Sequence, residues 1–368
     1  MGCADLFLYE DQGAGAETGS QALRERDSGL RRSIDSTIHS THRLIVNGRS
    51  AKIGLTRLSR PSEAQPLDSF IQTHEAAIRL VFFVGIFAFM AIWEVRAPRR
   101  ARTLTRLHRW TSNLGLVVLN TVLLRILFPA AAVGMALFAD VQGWGLLNAI
   151  DVPGWLAVVA AVVVLDFVIW VQHVLFHAVP ALWRLHRVHH ADLDYDLTTG
   201  ARFHPIEIVL SMLIKFAAIA ALGPPVVAVI LFEVILNGMA MFNHANVRLP
   251  LGVDRVLRWF VVTPDMHRVH HSIEDDETNS NFGFNLSWWD RLLGTYRDQP
   301  RAGHEGMTIG IRDHRDPRRV DRLDGMLVLP FIGQVTDYAI NRRRWEDQPP
   351  DARSGLARNA GHVDHIAP

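Results

Sequence analysis

The sequence predicts an all-α integral membrane protein, a helical bundle of about four to five membrane spans. Three observations carry that prediction. The 368-residue chain is 49% hydrophobic and only 20% charged. Its mean hydropathy is +0.12, where soluble proteins of this size usually fall below zero. The apolar residues are gathered into five long runs. This composition excludes a disordered chain. With 38 Lys+Arg against 37 Asp+Glu the net charge is +1, which argues against nucleic acid as a partner. Cys3 is the one cysteine, so neither an internal disulfide nor a thiolate cluster can form.

Taken in order, residues 1–70 are polar, rich in Gly, Ser and Arg, and without period, the pattern of a disordered N-terminal tail. Ala76–Val95 is the first span-length run, with Arg79 near its start. Leu114–Ala139 is the second and contains Arg125 and Pro129. A mid-bilayer Arg costs about 2.5–3.5 kcal/mol, so this run reads either as a span or as two shorter dipping helices. Trp155–Val179 is the third. Ile206–Leu222 and Val226–Phe242 form a hairpin around the turn Gly223-Pro224-Pro225. Arg96–Arg109 carries six Arg and no acid, and Asp140–Gly154 carries no Lys or Arg. The first segment is therefore expected on the cytoplasmic side and the second outside. Gly325–Ile340 is too short to span and reads as an interfacial or core helix, and Gln348–Pro368 reads as a frayed tail. The organisation is thus a tail over 1–70, a membrane-embedded domain over 71–300, and a cytoplasmic segment over 301–368.

Ten of the 18 histidines fall between residues 173 and 271. His173 and His177 form HxxxH. His186, His189 and His190 form HxxHH, as do His267, His270 and His271. His204 and His244 stand singly between the boxes. On a helix, positions i, i+3 and i+4 share a face, so each HxxHH is expected to converge three imidazoles on one point. Pro180 can open a helix carrying the first such box. Thr263-Pro264-Asp265 reads as N-cap, first helical residue and first-turn acid for the second. Eight neutral imidazoles exceed the four ligands of a zinc site and suit two metals of higher coordination. Imidazole alone does not choose among iron, zinc, copper and nickel.

Two polar stripes run toward the boxes. Asp166, Trp170, His173 and His177 share one face of the third run, and Glu233, Asn237 and His244 share one face of the fifth. Carboxylates within spans are expensive and usually functional. They either orient ligand imidazoles or form structural pairs, for example with Lys215. Asp166, Asp265 and Asn281 are the candidate catalytic residues beside the ligands, expected to act as such supports.

Two stretches carry a resemblance. One runs from Asp166 through Glu207, DFVIWVQHVLFHAVPALWRLHRVHHADLDYDLTTGARFHPIE. The other runs from Phe242 through Tyr296 and includes FNHANVRLP, TPDMHRVHHS, NSNFGFN and WWDRLLGTY. They resemble the fatty acid hydroxylase / sterol desaturase superfamily of membrane di-iron enzymes, over about residues 76–300. Only eight residues separate His177 from His186, shorter than the insert of the acyl-lipid desaturase and alkane hydroxylase families. The chain departs from many relatives at Trp170 and at His173-Val174, where they have Tyr and His-Arg.

The resemblance implies a membrane bundle capped by a cytoplasmic helical domain, with the histidine boxes enclosing two irons. It carries the eight box histidines over as ligands and adds His204 and His244 as further ones. Zinc can take the place of iron in purified samples. The implied reaction is O2-dependent hydroxylation or desaturation of a lipid C–H bond. No CxxC, flavin fingerprint or CxxCH haem motif is present, so a separate electron donor is expected: a ferredoxin or b-type cytochrome with its reductase. The alternatives are a membrane metal-dependent hydrolase, a metal-binding transporter and a bis-His haem protein. The expected location is a bacterial inner membrane, with the active site facing the cytoplasm.

Overall fold

A computed structural model describes residues 70–333 and 335, apart from Gln72. The tails expected over residues 1–70 and Gln348–Pro368 lie outside these residues, Phe70 excepted. Among the described residues the regular elements are helices, with isolated β-bridges and no named strand.

Helix α1 covers Glu75–Arg96. Next come α2 (Arg106–Leu127), α3 (Ala131–Gln142) and the single turn α4 (Leu146–Ala149). Helix α5 covers Gly154–Ala178 and α6 covers Pro180–His190, followed by a 3-10 turn at Thr199–Ala201. Helices α7 (Pro205–Leu222) and α8 (Val226–Asn243) form the hairpin. Among the described residues, five helical stretches are long and apolar enough to cross a membrane: Glu75–Arg96, Arg106–Ala149, Gly154–Ala178, Pro205–Leu222 and Val226–Asn243. The fold class is the one the sequence predicts.

The second stretch is broken into two helices. It parts at Pro129, which cannot continue α2, and returns as the 12-residue α3. Arg125 then lies in the last turn of α2, where a cation meets the negative end of the helix dipole. At the hairpin, Gly223 adopts φ +61°, and a Cβ there would sit 2.4 Å from Trp144 O. Both the left-handed backbone and the close approach require glycine.

Small residues let the helices approach. Ala132 and Ala136 of α3, Ala161 of α5 and Ala228 of α8 are fully buried in one core with Leu165, Ile219, Val229, Phe232 and Leu236. Helix α8 packs against both α1 and α5. An ion cluster joins α8 to its neighbours. Glu233 receives Lys215 Nζ of α7 at 2.6 Å and also pairs with Arg79 of α1, which holds Glu75 at 2.8 Å. Glu233 therefore ties three helices and orients no imidazole, the second of the two roles open to it.

Beyond α8 the helices are short: α9 (Leu251–Leu257), α10 (Pro264–His270), α11 (Asp275–Thr278), α12 (Trp288–Leu292), α13 (Gly303–Gly306), α14 (Pro317–Val320) and α15 (Leu323–Val328). The helix expected over Gly325–Ile340 is α15 plus a 3-10 turn at Leu329–Phe331; the rest lies beyond the described residues. It is a core element, with Met326 and Leu329 packed against Trp183, Val188 and Val320. Arg187 of α6 donates to the carbonyls of Leu329 and Ile332.

A buried charge network fixes the loop after α6. Arg109 of α2 donates to Asp192 at 2.6 and 3.0 Å, and also to Asp196. Arg202 meets Asp321 at 3.0 Å. The guanidinium of Arg109 holds the Asp192 carboxyl down at about 2 against the effect of burial.

Candidate metal centre

The elements that carry the boxes begin where the sequence predicts. Pro180 opens α6 and Pro264 opens α10, where the Thr263 side chain caps by accepting from Met266 N at 3.3 Å. Helices α5 and α6 are separated only by Val179, so HxxxH and the first HxxHH face each other across one bend.

Nine histidines are brought together in two clusters. His173, His177, His186, His190 and His270 form one; His189, His244, His267 and His271 form the other. Within each cluster the available ring nitrogens lie within 4.8 Å of one another. All nine side chains are buried, none more than 3% exposed. The HxxHH boxes do not each converge on one point, as expected from sequence; each is divided. His186 and His190 enter the first cluster while His189 enters the second. His267 and His271 enter the second while His270 enters the first. Positions i and i+4 overlie one another on a helix, but the adjacent i+3 and i+4 point about 100° apart at 3.6 residues per turn. One helix thus feeds two centres.

His204, expected as a further ligand, belongs to neither cluster. It is the N-cap of α7, where its Nδ1 accepts from Ile206 N at 3.2 Å. Its Nε2 faces Leu327 O at 3.3 Å and its ring meets Phe331. The Pro205 that follows favours the extended backbone that an N-cap needs at His204. His244 is brought in, with Nε2 at 3.2 Å from His189 and 3.1 Å from His267. Gly200 lets the 3-10 turn close over it, since a Cβ there would lie 2.9 Å from His244 Nδ1.

Whether the clusters suit a metal is decided by their hydrogen bonds. His173 Nδ1 donates to Phe282 O at 2.8 Å and His270 Nδ1 to Ser280 O at 2.7 Å. A neutral imidazole has one N–H, so both Nε2 atoms are bare, yet they face each other at 3.0 Å. Two lone pairs at that distance repel unless a cation lies between them. His186 Nδ1 is likewise committed to Glu207 Oε1 at 2.7 Å, His177 Nδ1 to Asn279 Oδ1 at 3.2 Å and His244 Nδ1 to Ala240 O at 2.9 Å. His186 Nε2 and both nitrogens of His271 are buried with no partner. Such orphaned polar atoms are costly without a ligand.

Burial keeps these rings neutral. It pulls His186 and His244 down to about 3. His189, His190, His267, His270 and His271 fall well below their ordinary value, by burial first and then by neighbouring imidazoles. The facing Nε2 pairs are 3.0–3.2 Å apart. Nitrogens about 2.1 Å from a shared cation lie about 3.0 Å apart at a right angle and about 3.4 Å at the tetrahedral angle. The spacing fits centres with more than four ligands, and the residues fit metal.

Two of the three candidate catalytic residues, Asp166 and Asp265, bond other groups than the rings. Asp166 accepts from Asn285 N at 3.3 Å, Leu286 N at 3.2 Å and Trp289 Nε1 at 2.8 Å, so it holds a loop, not an imidazole. Asp265 receives Arg99 at 3.2 Å and pairs with Arg268; these cations hold its carboxyl below the usual range against burial. Asn281 is the exception in kind. At φ +50° it stands between Ser280 and Phe282, the two carbonyls that fix His270 and His173. Its side chain receives Arg297 N at 2.8 Å and donates to Met266 O at 2.9 Å.

Sequence reasoning missed Glu207, Asn279 and Asp290. Glu207 ends the quoted HPIE and was visible as an acid in the first turn of a span; its partner His186 was not. Asp290 receives Gly283 N at 2.7 Å, Phe282 N at 2.8 Å and Trp170 Nε1 at 3.0 Å.

Five candidate spans that deliver buried paired imidazoles to one end define an integral membrane protein of the histidine-box class. The family model described as fatty acid hydroxylase matches residues 158–295. Ornithine lipid hydroxylase OlsE of Rhizobium tropici is 32% identical over 155 residues, 42% of this chain and 45% of its own length. Alkylglycerol monooxygenase of Xenopus tropicalis is 28% identical over 206 residues, 54% of this chain and 44% of its own. Cholesterol 25-hydroxylase of Rattus norvegicus is 24% identical over 148 residues, 39% and 48% of the two chains. These matches support the fatty acid hydroxylase / sterol desaturase superfamily for the region that carries the histidines. The matched region spans under half the length of these relatives, and no solved structure matches.

Proposed function

We propose that the chain is a membrane-bound di-iron, O2-dependent oxidoreductase that hydroxylates or desaturates a C–H bond of a lipid. The observation that carries this reading is the facing of His173 and His270 through bare Nε2 atoms, repeated around two adjacent clusters. The names of the relatives support the reaction class, and the span-rich fold supports a lipid substrate.

The ligand set is the nine clustered histidines. When bound, iron would supply dioxygen activation at the two centres. The chain supplies orientation and dryness. Carbonyls of Ser280, Phe282 and Ala240, with Asn279 Oδ1 and the Glu207 carboxylate, accept the Nδ1 protons of His270, His173, His244, His177 and His186 and aim those five Nε2 atoms inward. The Glu207 carboxylate makes His186 the more basic ligand. A small gap, with room for about one water, is lined by His173, His186, His189, Ile169, Phe203 and Phe284. It borders rings of both clusters, and its apolar wall of Ile169, Phe203 and Phe284 keeps the rings dry. Electrons come from a separate ferredoxin or b-type cytochrome with its reductase, and the site faces the cytoplasm of a bacterial inner membrane. A hydrolase would usually place a carboxylate among the ligands, whereas these clusters hold imidazole alone.

Metal analysis of purified protein tests the proposal. Two irons per chain, no haem absorbance and oxygen uptake with a lipid substrate are expected. A Soret band, or zinc alone with no oxygen-dependent activity after iron loading, overturns it.

A further inference from the structure

Part of the short-helix region carries an apolar surface that the metal centre does not use. Segment 258–262 pairs with segment 285–291. Val262 N donates to Asn285 O at 2.9 Å, Trp288 Nε1 to Trp259 O at 3.0 Å and Arg291 Nη2 to Arg258 O at 2.9 Å. Together with α9 these segments present Leu251, Val256, Trp259, Phe260, Leu292 and Leu293, each 51–73% exposed. A patch of this kind on a protein surface marks an interaction site.

The depth of the patch names its partner. Asp166, which binds the loop at Asn285, Leu286 and Trp289, is the midpoint of α5. At 1.5 Å per residue the 25 residues of α5 extend about 37 Å, longer than the roughly 30 Å hydrocarbon core. A core that α5 crosses contains its midpoint wherever the helix is set along its axis. The loop is therefore below the bilayer surface. Phe167, exposed on the same helix, stands 4.9 Å from the Trp289 ring, so the patch continues the lipid-facing surface of α5. Irregular backbone at that depth must have its donors satisfied by protein. Asp166 takes two backbone N–H groups and an indole. Asp290 takes the N–H groups of Phe282 and Gly283 and a second indole. The costly carboxylate in the third apolar run is explained by this loop.

We propose that residues 251–262 and 285–293 form a re-entrant lobe inserted in one leaflet, with Trp259, Phe260, Leu292 and Leu293 against acyl chains. Its partner is the bilayer itself. Arg291 lies over the rings of Trp259 and Tyr296, 4.1 and 3.9 Å from their centroids. The aromatic pair carries this cation at the patch edge, within reach of headgroup phosphates. The inference rests on the membrane class of the fold and is independent of metal or reaction.

The test uses the full chain with Cys3→Ser, which removes the only native thiol, in phosphatidylcholine liposomes. Single cysteines replace Leu292, Phe260 or, as a water-exposed control, Glu305, which is 68% exposed. A charged maleimide is expected to label the first two about tenfold or more slowly than the control, because it must leave water to reach them. Nitroxides at the same sites are expected to be more accessible to oxygen than to a water-soluble nickel complex. Labelling of Leu292→Cys at the control rate overturns the proposal. So does protection that disappears on dilution of protein in lipid, since it would come from a second copy of the chain. Leu292 points away from the core, so its variant is expected to fold, and Phe260→Cys repeats the reading at a second site.

Discussion

His173 and His270 take their orientation from the two carbonyls that flank Asn281. Phe282 O holds one ring and Ser280 O the other, and the left-handed backbone at Asn281 turns those carbonyls toward rings nearly a hundred residues apart in sequence. A non-glycine residue without the amide meets a cost of roughly 1–2 kcal/mol in this conformation and loses the bonds to Arg297 and Met266. Asn281→Ala is expected to lower bound metal and activity together, on the order of 10–100-fold in metal affinity. Asn281→Gly is expected to retain more of both. Metal per chain after dialysis against a graded chelator checks the order.

The two single histidines are expected to separate. His244→Ala removes a ring from the second cluster and should lower metal content and abolish activity, as should His270→Ala in the first. His204→Ala should keep its metal and lose about 1 kcal/mol of stability with its N-cap. Metal loss in the His204 variant equal to that of His244→Ala would contradict the assignment.

Two buried carboxylates make opposite predictions. Glu207→Gln weakens the hold on His186 and is expected to reduce metal affinity by about 10–100-fold. Asp166→Asn disturbs the acceptor of three donors far from the rings. It should lower the thermal midpoint, at a cost of about 1–3 kcal/mol, and leave metal affinity unchanged. Titration with metal and thermal unfolding of the two variants read these effects separately.

Acid is expected to act through the same rings. His186 and His244 are neutral when folded down to about 3, but bind a proton near 6.5 once unfolded. The unfolded state therefore takes up more protons across that window. Stability from these groups is complete above about 6.5 and falls with pH from there toward 3. Protons also compete with metal for Nε2, in the same direction. Thermal midpoints between pH 7.5 and 5 should decline with and without chelator, more steeply without it, where bound metal is lost as well; a flat profile would contradict the burial argument.

The membrane helices were legible because long apolar runs need no tertiary information, and α6 and α10 because Pro180, Thr263 and Pro264 mark helix starts locally. The boxes were legible as spacing, but their division was not. His189 and His190 are neighbours in sequence, and only the placement of α5, α8 and α10 decides that they serve different centres. His204 matched a motif position, yet its side chain caps α7. Asp166 was read as a partner of the histidines on its own face. Its true partners, Asn285, Leu286 and Trp289, lie more than a hundred residues away, and no periodicity records that pairing.

The division of each box also sets a schedule for maturation. Each cluster takes rings both from α5 or α6 and from the second HxxHH box, so the first is complete only at His270 and the second only at His271. A nascent chain that has inserted all five spans still lacks the second box. Metal capture would thus be a late event that joins the two halves of the protein and certifies that both have reached their places.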